Sequence, residues 1–175
     1  KFEKELASRP PRIDFETTLK AAAGQFIANR GRSIWINAGY PWFGRWGRDT
    51  MISLPGLTLS FGDYESFRTI FMGLLREARD GFLPNMGGIN NSSYNSVDAP
   101  LWAMYALHQF YLQDHDAFMQ FYAKAKIGGF MRDVMELFTQ SNGKNNGVSI
   151  DENGIIWTGS QSTALTWMDA VVAGI

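Results

Sequence analysis

Gly39-Tyr40-Pro41-Trp42-Phe43-Gly44-Arg45-Trp46-Gly47-Arg48-Asp49-Thr50 is the stretch from which the rest of the chain can be read. It holds four aromatics, two arginines, one carboxylate, three glycines and one proline. Neither a helical nor an alternating period runs through it, so no single buried face explains it. Pro41 and the glycines predict an irregular loop. Aromatic walls with a few polar groups between them are the usual lining of a small-molecule pocket. Arg48 offers a planar fork of donors and Asp49 offers acceptors, a combination suited to a ligand rich in hydroxyls. A buried ion pair beneath a loop would explain the same charges, and both readings stand at this point.

The composition narrows the partners. The chain has 175 residues, enough for one domain with its own core. Its 45% hydrophobic and 19% charged content is that of a soluble globular protein. The formal net charge is -1 and no basic block occurs, so nucleic acid is not an expected partner. No apolar run approaches the ~20 residues of a membrane span, and no membrane association is expected. The absence of cysteine excludes disulfides and thiolate metal sites, and it is compatible with a reducing compartment. A cytoplasmic location is the expectation.

Working outward from the loop, residues 1–12 read as a charged connector from an upstream region, and 13–175 as the domain. Asp14 predicts a helix start, with the helix running to about Asn29 and ending at Gly31. Residues 33–38 read as extended. A helix is expected from Asp49 or Thr50, with Pro55 kinking it or moving its start to Ser53. Asp63 caps the next helix, whose Phe67, Ile70, Phe71, Leu74, Leu75 and Ala78 keep helical spacing. A polar loop spans 87–96. Asp98 then caps a helix with Pro100 in its first turn. That helix is apolar nearly all round, so burial on more than one side is expected. A further helix is predicted over 117–140, bent at Gly128-Gly129. Residues 148–157 predict a hairpin turning at Asp151-Glu152-Asn153-Gly154. The apolar end, Val171 to Ile175, reads as a cut through a structural element.

The helices come in pairs, and the loops alternate in character. Three of them carry unusual chemistry: 39–50, 82–98 and 157–169. With helices running up and down, every second loop lies at one end, which fits a helical toroid with a site at one mouth. In the second loop, Tyr94-Asn95-Ser96-Val97-Asp98 offers Asp98 either as a helix cap or as a ligand contact. In the third, Asp169 follows Trp167 in an apolar stretch. Desolvation there disfavours its charge, as suits a general acid, although a carboxylate at a helix start is the plainer reading. Three loop carboxylates among Trp and Tyr suggest carbohydrate chemistry, which needs one protonated acid and a second carboxylate. His108 and His115 are read as packing or surface residues. No metal site and no cofactor are expected.

The segment from Ala38 to Leu57 (AGYPWFGRWGRDTMISLPGL) resembles the glucosidase domain of glycogen debranching enzymes, the amylo-α-1,6-glucosidases. Leu83-Pro84-Asn85, Tyr94-Asn95-Ser96-Val97-Asp98-Ala99 and Leu165-Thr166-Trp167-Met168-Asp169-Ala170 follow in that family's order. The resemblance implies an all-α (α/α)6 toroid of the six-hairpin glycosidase type, here its N-terminal part, with a small β-hairpin near 148–157. It implies Asp169 as general acid and Arg48 and Asp49 as the pair holding the terminal glucose. It also implies Trp42, Trp46, Tyr94, Asp98 and Trp167 as residues lining the sugar subsites. The general base of such enzymes is a later glutamate, which this sequence does not contain. Glu152 precedes the acid and sits in the predicted hairpin turn, so it is not assigned that role. The implied activity is inverting hydrolysis of α-1,6-linked glucose stubs in glycogen-type glucans, with an α-glucan or oligosaccharide as partner. A related glucoamylase-type α-glucosidase of other linkage preference, or a non-catalytic carbohydrate-binding helical domain, are the alternatives.

Overall fold

A computed structural model describes residues 14–31, 33–40, 42–86, 93–139, 142–145, 147–159 and 165–166. Among these are six helices: α1 (Phe15–Gly24), α2 (Gly47–Leu57), α3 (Tyr64–Leu75), α4 (Ala99–Gln113), α5 (His115–Lys124) and α6 (Ile127–Thr139). Five short strands accompany them: β1 (Ile27–Arg30), β2 (Ser33–Ile36), β3 (Asn142–Asn145), β4 (Val148–Ile150) and β5 (Ile156–Thr158). The strands form an antiparallel β1-β2 ribbon and an antiparallel sheet of order β3-β4-β5. The chain is thus mostly helical, as a part of an all-α toroid domain should be.

Two expected helices end earlier than their apolar pattern suggests. The Asp14 carboxylate accepts from Thr17 N and caps α1 as predicted, but α1 stops at Gly24. Ile27–Arg30 pairs instead with Ser33–Ile36. Gly31, expected as a helix stop, lies in the turn of that ribbon with φ +63, a left-handed conformation that tight hairpins favour. Phe15 and Leu19 are exposed, and α1 has no buried residue. The helix expected over 117–140 is two helices. Asp114 caps α5 through Ala117 N, and the chain breaks at Ala125, which is extended (φ -102, ψ 148), and not at Gly128-Gly129.

The core lies where α2, α3, α4, α5 and α6 meet. Asp63 caps α3 by accepting from Ser66 N, and α3 buries Phe67, Ile70, Phe71 and Leu74, the predicted stripe. Phe67 is the hub of an aromatic cluster with Phe71, Phe110 and Phe121. Helix α4 buries Ala103, Ala106, Leu107 and Phe110 against its neighbours. Leu101, Tyr105, Tyr111 and Leu112 on other faces of α4 remain exposed. A second, smaller core joins Phe82, Val97, Leu137, Val148 and Leu165. It ties the 82–98 loop and the β4-β5 hairpin to the end of α6.

The predicted hairpin is present as β4 and β5, with Asp151 at its turn. Asp151 accepts from the indole N–H of Trp157 (3.0 Å) and from the backbone N–H groups of Ile155 and Asn153 (both 2.9 Å). These donors, the indole first, hold its carboxyl below the usual 3.8.

Helix α2 starts at Gly47, two residues before the expected start, and continues through Pro55 to Leu57. The reason lies in the 82–86 segment. Gly47 N donates to Asn85 O (2.8 Å), and Trp46 forms a bridge with Met86. The backbones approach so closely that a Cβ at Gly47 would overlap the carbonyl oxygen of Pro84. Gly47→Ala is therefore expected to destabilise the fold by roughly 3 kcal/mol, the upper range for overpacking against rigid backbone. Urea unfolding checks this, and a loss under about 0.5 kcal/mol would contradict the close approach.

Candidate active site at the starts of α2 and α4

The site is built from two helix beginnings and the loops that feed them. Arg48 stands in the first turn of α2, and Asp98 immediately precedes α4. Helices α2 and α4 pack side by side, which brings residues fifty positions apart into contact. Arg48 Nε donates to both carboxylate oxygens of Asp98, each at 2.9 Å. One Arg48 terminal nitrogen donates to Ser96 Oγ at 3.1 Å. Ser96 Oγ in turn donates to Asp98 Oδ1 at 2.7 Å and accepts from Ala99 N at 3.3 Å.

Several of these placements were not in the sequence reading. Of the two readings of Asp98, helix cap or ligand contact, the cap is not made by its side chain. Ser96 contacts the first helical N–H instead, and the Asp98 carboxylate turns to Arg48. The ion pair proposed as the plain alternative for the 39–50 loop exists, yet its acid is Asp98 rather than Asp49. The Arg48 and Asp98 side chains keep 13% and 23% exposure, so the pair is shielded but still reachable. Asp49 is exposed, and its carboxylate has no hydrogen-bond or ionic partner among the described residues.

These groups open onto a cleft of about 690 Å³ lined by Arg48, Asp49, Ile52, Asp98, Leu101, Trp102 and Tyr105. Its polar end is the Arg48–Asp98 pair with Asp49, and its apolar wall comes from the next turns of α2 and α4. Trp102 and Tyr105 meet edge to face, with ring centroids 5.7 Å apart. Neither stands out in the sequence, because spacing along an apolar helix does not tell which face looks onto an opening. The only available signal was the position of Trp102, one helical turn after Asp98.

The other expected site residues are placed as follows. Trp46 packs edge to face on Phe43, with centroids 6.3 Å apart, and its backbone joins the 82–86 segment. Trp42 is exposed. Neither borders the cleft. Tyr94 donates its hydroxyl to the backbone carbonyl of Glu77 (2.6 Å), and the Arg79 guanidinium lies over its ring at 4.9 Å. It supports the 93–98 segment from behind. Trp167 and Asp169 lie outside the described residues. Among the described residues, no cluster of His, Asp and Glu could hold a metal ion, and no helix is long and apolar enough to cross a membrane.

Two of the three chemistry-bearing loops meet at this end, and the third reaches them. Asn85 N donates to Ser93 O (2.7 Å), and Asn85 Nδ2 donates to Asn95 Oδ1 (3.3 Å). Together with the Gly47 bond, these link the 39–50 and 82–98 loops. Val97 N donates to Leu165 O at 2.8 Å, one residue from Asp98. An Arg-carboxylate pair beside a second, exposed carboxylate, opening onto an aromatic and aliphatic wall, is chemistry suited to a polyhydroxylated ligand.

Comparison with known families agrees with that chemistry. The family model described as Amylo-alpha-1,6-glucosidase matches residues 21–175, which include both helix starts and all three loops. The chain belongs to the amylo-alpha-1,6-glucosidase family, as a glucosidase domain of the glycogen-debranching type.

Proposed function

We propose that this cleft takes the terminal glucose of an α-glucan and that the domain hydrolyses α-1,6-linked glucose stubs with inversion. The observation that carries the reading is the Arg48–Asp98–Ser96 network beside Asp49, which has no partner among the described residues, at the open cleft. A sugar hydroxyl both donates and accepts. Asp49 and Asp98 offer acceptors, and Arg48 offers a donor, so one hydroxyl or two adjacent ones can be met on both counts. The apolar wall suits the C–H faces of the ring.

Asp169 is the proposed general acid. The described residue Leu165, four positions before it, accepts from Val97 N beside Asp98, which supports that reading. The general base is a glutamate that the family supplies from a later segment. Inversion needs about 6.5–9.5 Å between the two carboxyl groups, room for the attacking water.

Arg48→Lys and Asp49→Asn test the grip on the sugar. Lysine keeps the charge but loses the planar fork, whose Nε bonds both oxygens of Asp98 and whose terminal nitrogen bonds Ser96. Each lost charge-assisted bond is worth roughly 1.5–3 kcal/mol, so kcat/KM on an α-1,6-branched dextrin should fall by about tenfold to a hundredfold. Wild-type kinetics in either folded variant would remove these residues from the site.

A further inference from the structure

We propose that Ser96 is the positioning residue of this site, holding Arg48 and Asp98 in the one arrangement that can grip a sugar; this rests on the glucan reading above. Ser96 is fully buried. Its hydroxyl has one proton to give and two lone pairs to receive, and all three are used. The Arg48 terminal nitrogen and Ala99 N can only donate, so they take the lone pairs. The single proton must then point to Asp98 Oδ1. The direction of every bond in the network is therefore fixed by the chemistry of the partners.

This arrangement has two effects on Asp98. By serving the first N–H of α4, Ser96 relieves Asp98 of the capping duty that its position would otherwise give it. By donating to Oδ1, alongside Arg48 Nε, it occupies that oxygen twice. Among the described residues Oδ2 accepts from Arg48 Nε alone, which leaves acceptor capacity for a ligand hydroxyl. The Ser96 backbone is itself held between fixed neighbours: Asn95 is bonded to Asn85, and Val97 to Leu165. All three loops thus set the position of one hydroxyl, and that hydroxyl sets the ion pair.

The test uses the full protein, with isomaltose as probe and two variants. Ser96→Ala removes the hydroxyl, and Ser96→Cys keeps the bulk with a far weaker donor and acceptor. Solvent exchange of the Arg48 Nε–H, followed by NMR, reads the ion pair without any sugar. Isomaltose titration reads the site. Both variants should exchange the Arg48 Nε–H at least about tenfold faster and bind isomaltose about tenfold more weakly, with S96C unfolding at nearly the wild-type temperature. Wild-type exchange and affinity in folded S96C would overturn the proposal. Faster exchange with unchanged affinity would also overturn it, leaving Ser96 a structural role only. If wild type itself takes up no isomaltose, the glucan reading falls, and the exchange rates alone decide whether Ser96 holds the pair. Fast exchange of the Arg48 Nε–H in wild type would defeat the proposal without any variant.

Discussion

An Asp169→Asn variant is expected to lose about 10²- to 10⁴-fold in kcat on α-1,6-linked glucose, the usual contribution of a positioned proton donor. Asparagine keeps the shape of the side chain but cannot give a proton to the departing glycosidic oxygen. Ground-state contacts are little altered, so KM should change much less than kcat. The size of the loss should depend on the leaving group. A sugar alkoxide needs protonation, whereas fluoride leaves with far less help. With α-glucosyl fluoride the variant should therefore lose clearly less than with a branched dextrin. Equal losses on the two substrates would show that Asp169 does something other than protonate the leaving oxygen.

The second large effect is on stability. Phe67→Ala should destabilise the fold by about 3–5 kcal/mol, the range for truncating a fully buried aromatic. Phe67 has no exposed surface. Its ring lies parallel to Phe71 at 5.9 Å and edge to face with Phe110 at 4.9 Å and Phe121 at 6.5 Å. These partners come from α3, α4 and α5, so the gap left by alanine cannot close by moving one element. Aromatic pairs also contribute beyond the area they bury, by roughly 0.5–1.5 kcal/mol each. The midpoint of urea unfolding, at unchanged slope, measures the loss. A change under about 1 kcal/mol would mean that the cluster is not the centre of the core.

What could be read in the sequence was local. Asp63 followed by Phe67, Ile70, Phe71 and Leu74 defines α3 because a cap and a helical stripe both lie within one element. The β4-β5 hairpin was equally legible, since the turn residues Asp151 to Gly154 stand between two apolar runs. The end of α1 was not. Phe26 and Ile27 suit the face of a helix, but they suit a strand as well, and the deciding partner is the ladder with Ser33–Ile36. The start of α2 was missed for a similar reason: Gly47 is fixed by Asn85 and Pro84, almost forty residues away.

The candidate site shows the same division. Arg48, Asp49 and Asp98 stood out because charged residues among aromatics in loops have few structural explanations. Their pairing did not, because Arg48 and Asp98 meet only after α2 and α4 pack. Ser96 was invisible as a chemical group in a polar loop, where a serine is ordinary. Its importance comes from burial and from three partners, neither of which leaves a pattern in the chain. Trp102 and Tyr105 were hidden by the opposite effect, an apolar helix in which every position resembles core.

Inverting hydrolysis at the cleft between the starts of α2 and α4 is the proposed activity. The most direct test is proton NMR of the first glucose released from an α-1,6-branched dextrin, recorded before the anomers equilibrate. Water attacking the face opposite the leaving oxygen gives β-glucose first, with the α signal growing only at the rate of mutarotation. The protein should show that order, and Arg48→Lys should slow it without changing it. α-Glucose as the first product would contradict the mechanism, and an Arg48→Lys protein releasing glucose at the wild-type rate would contradict the site.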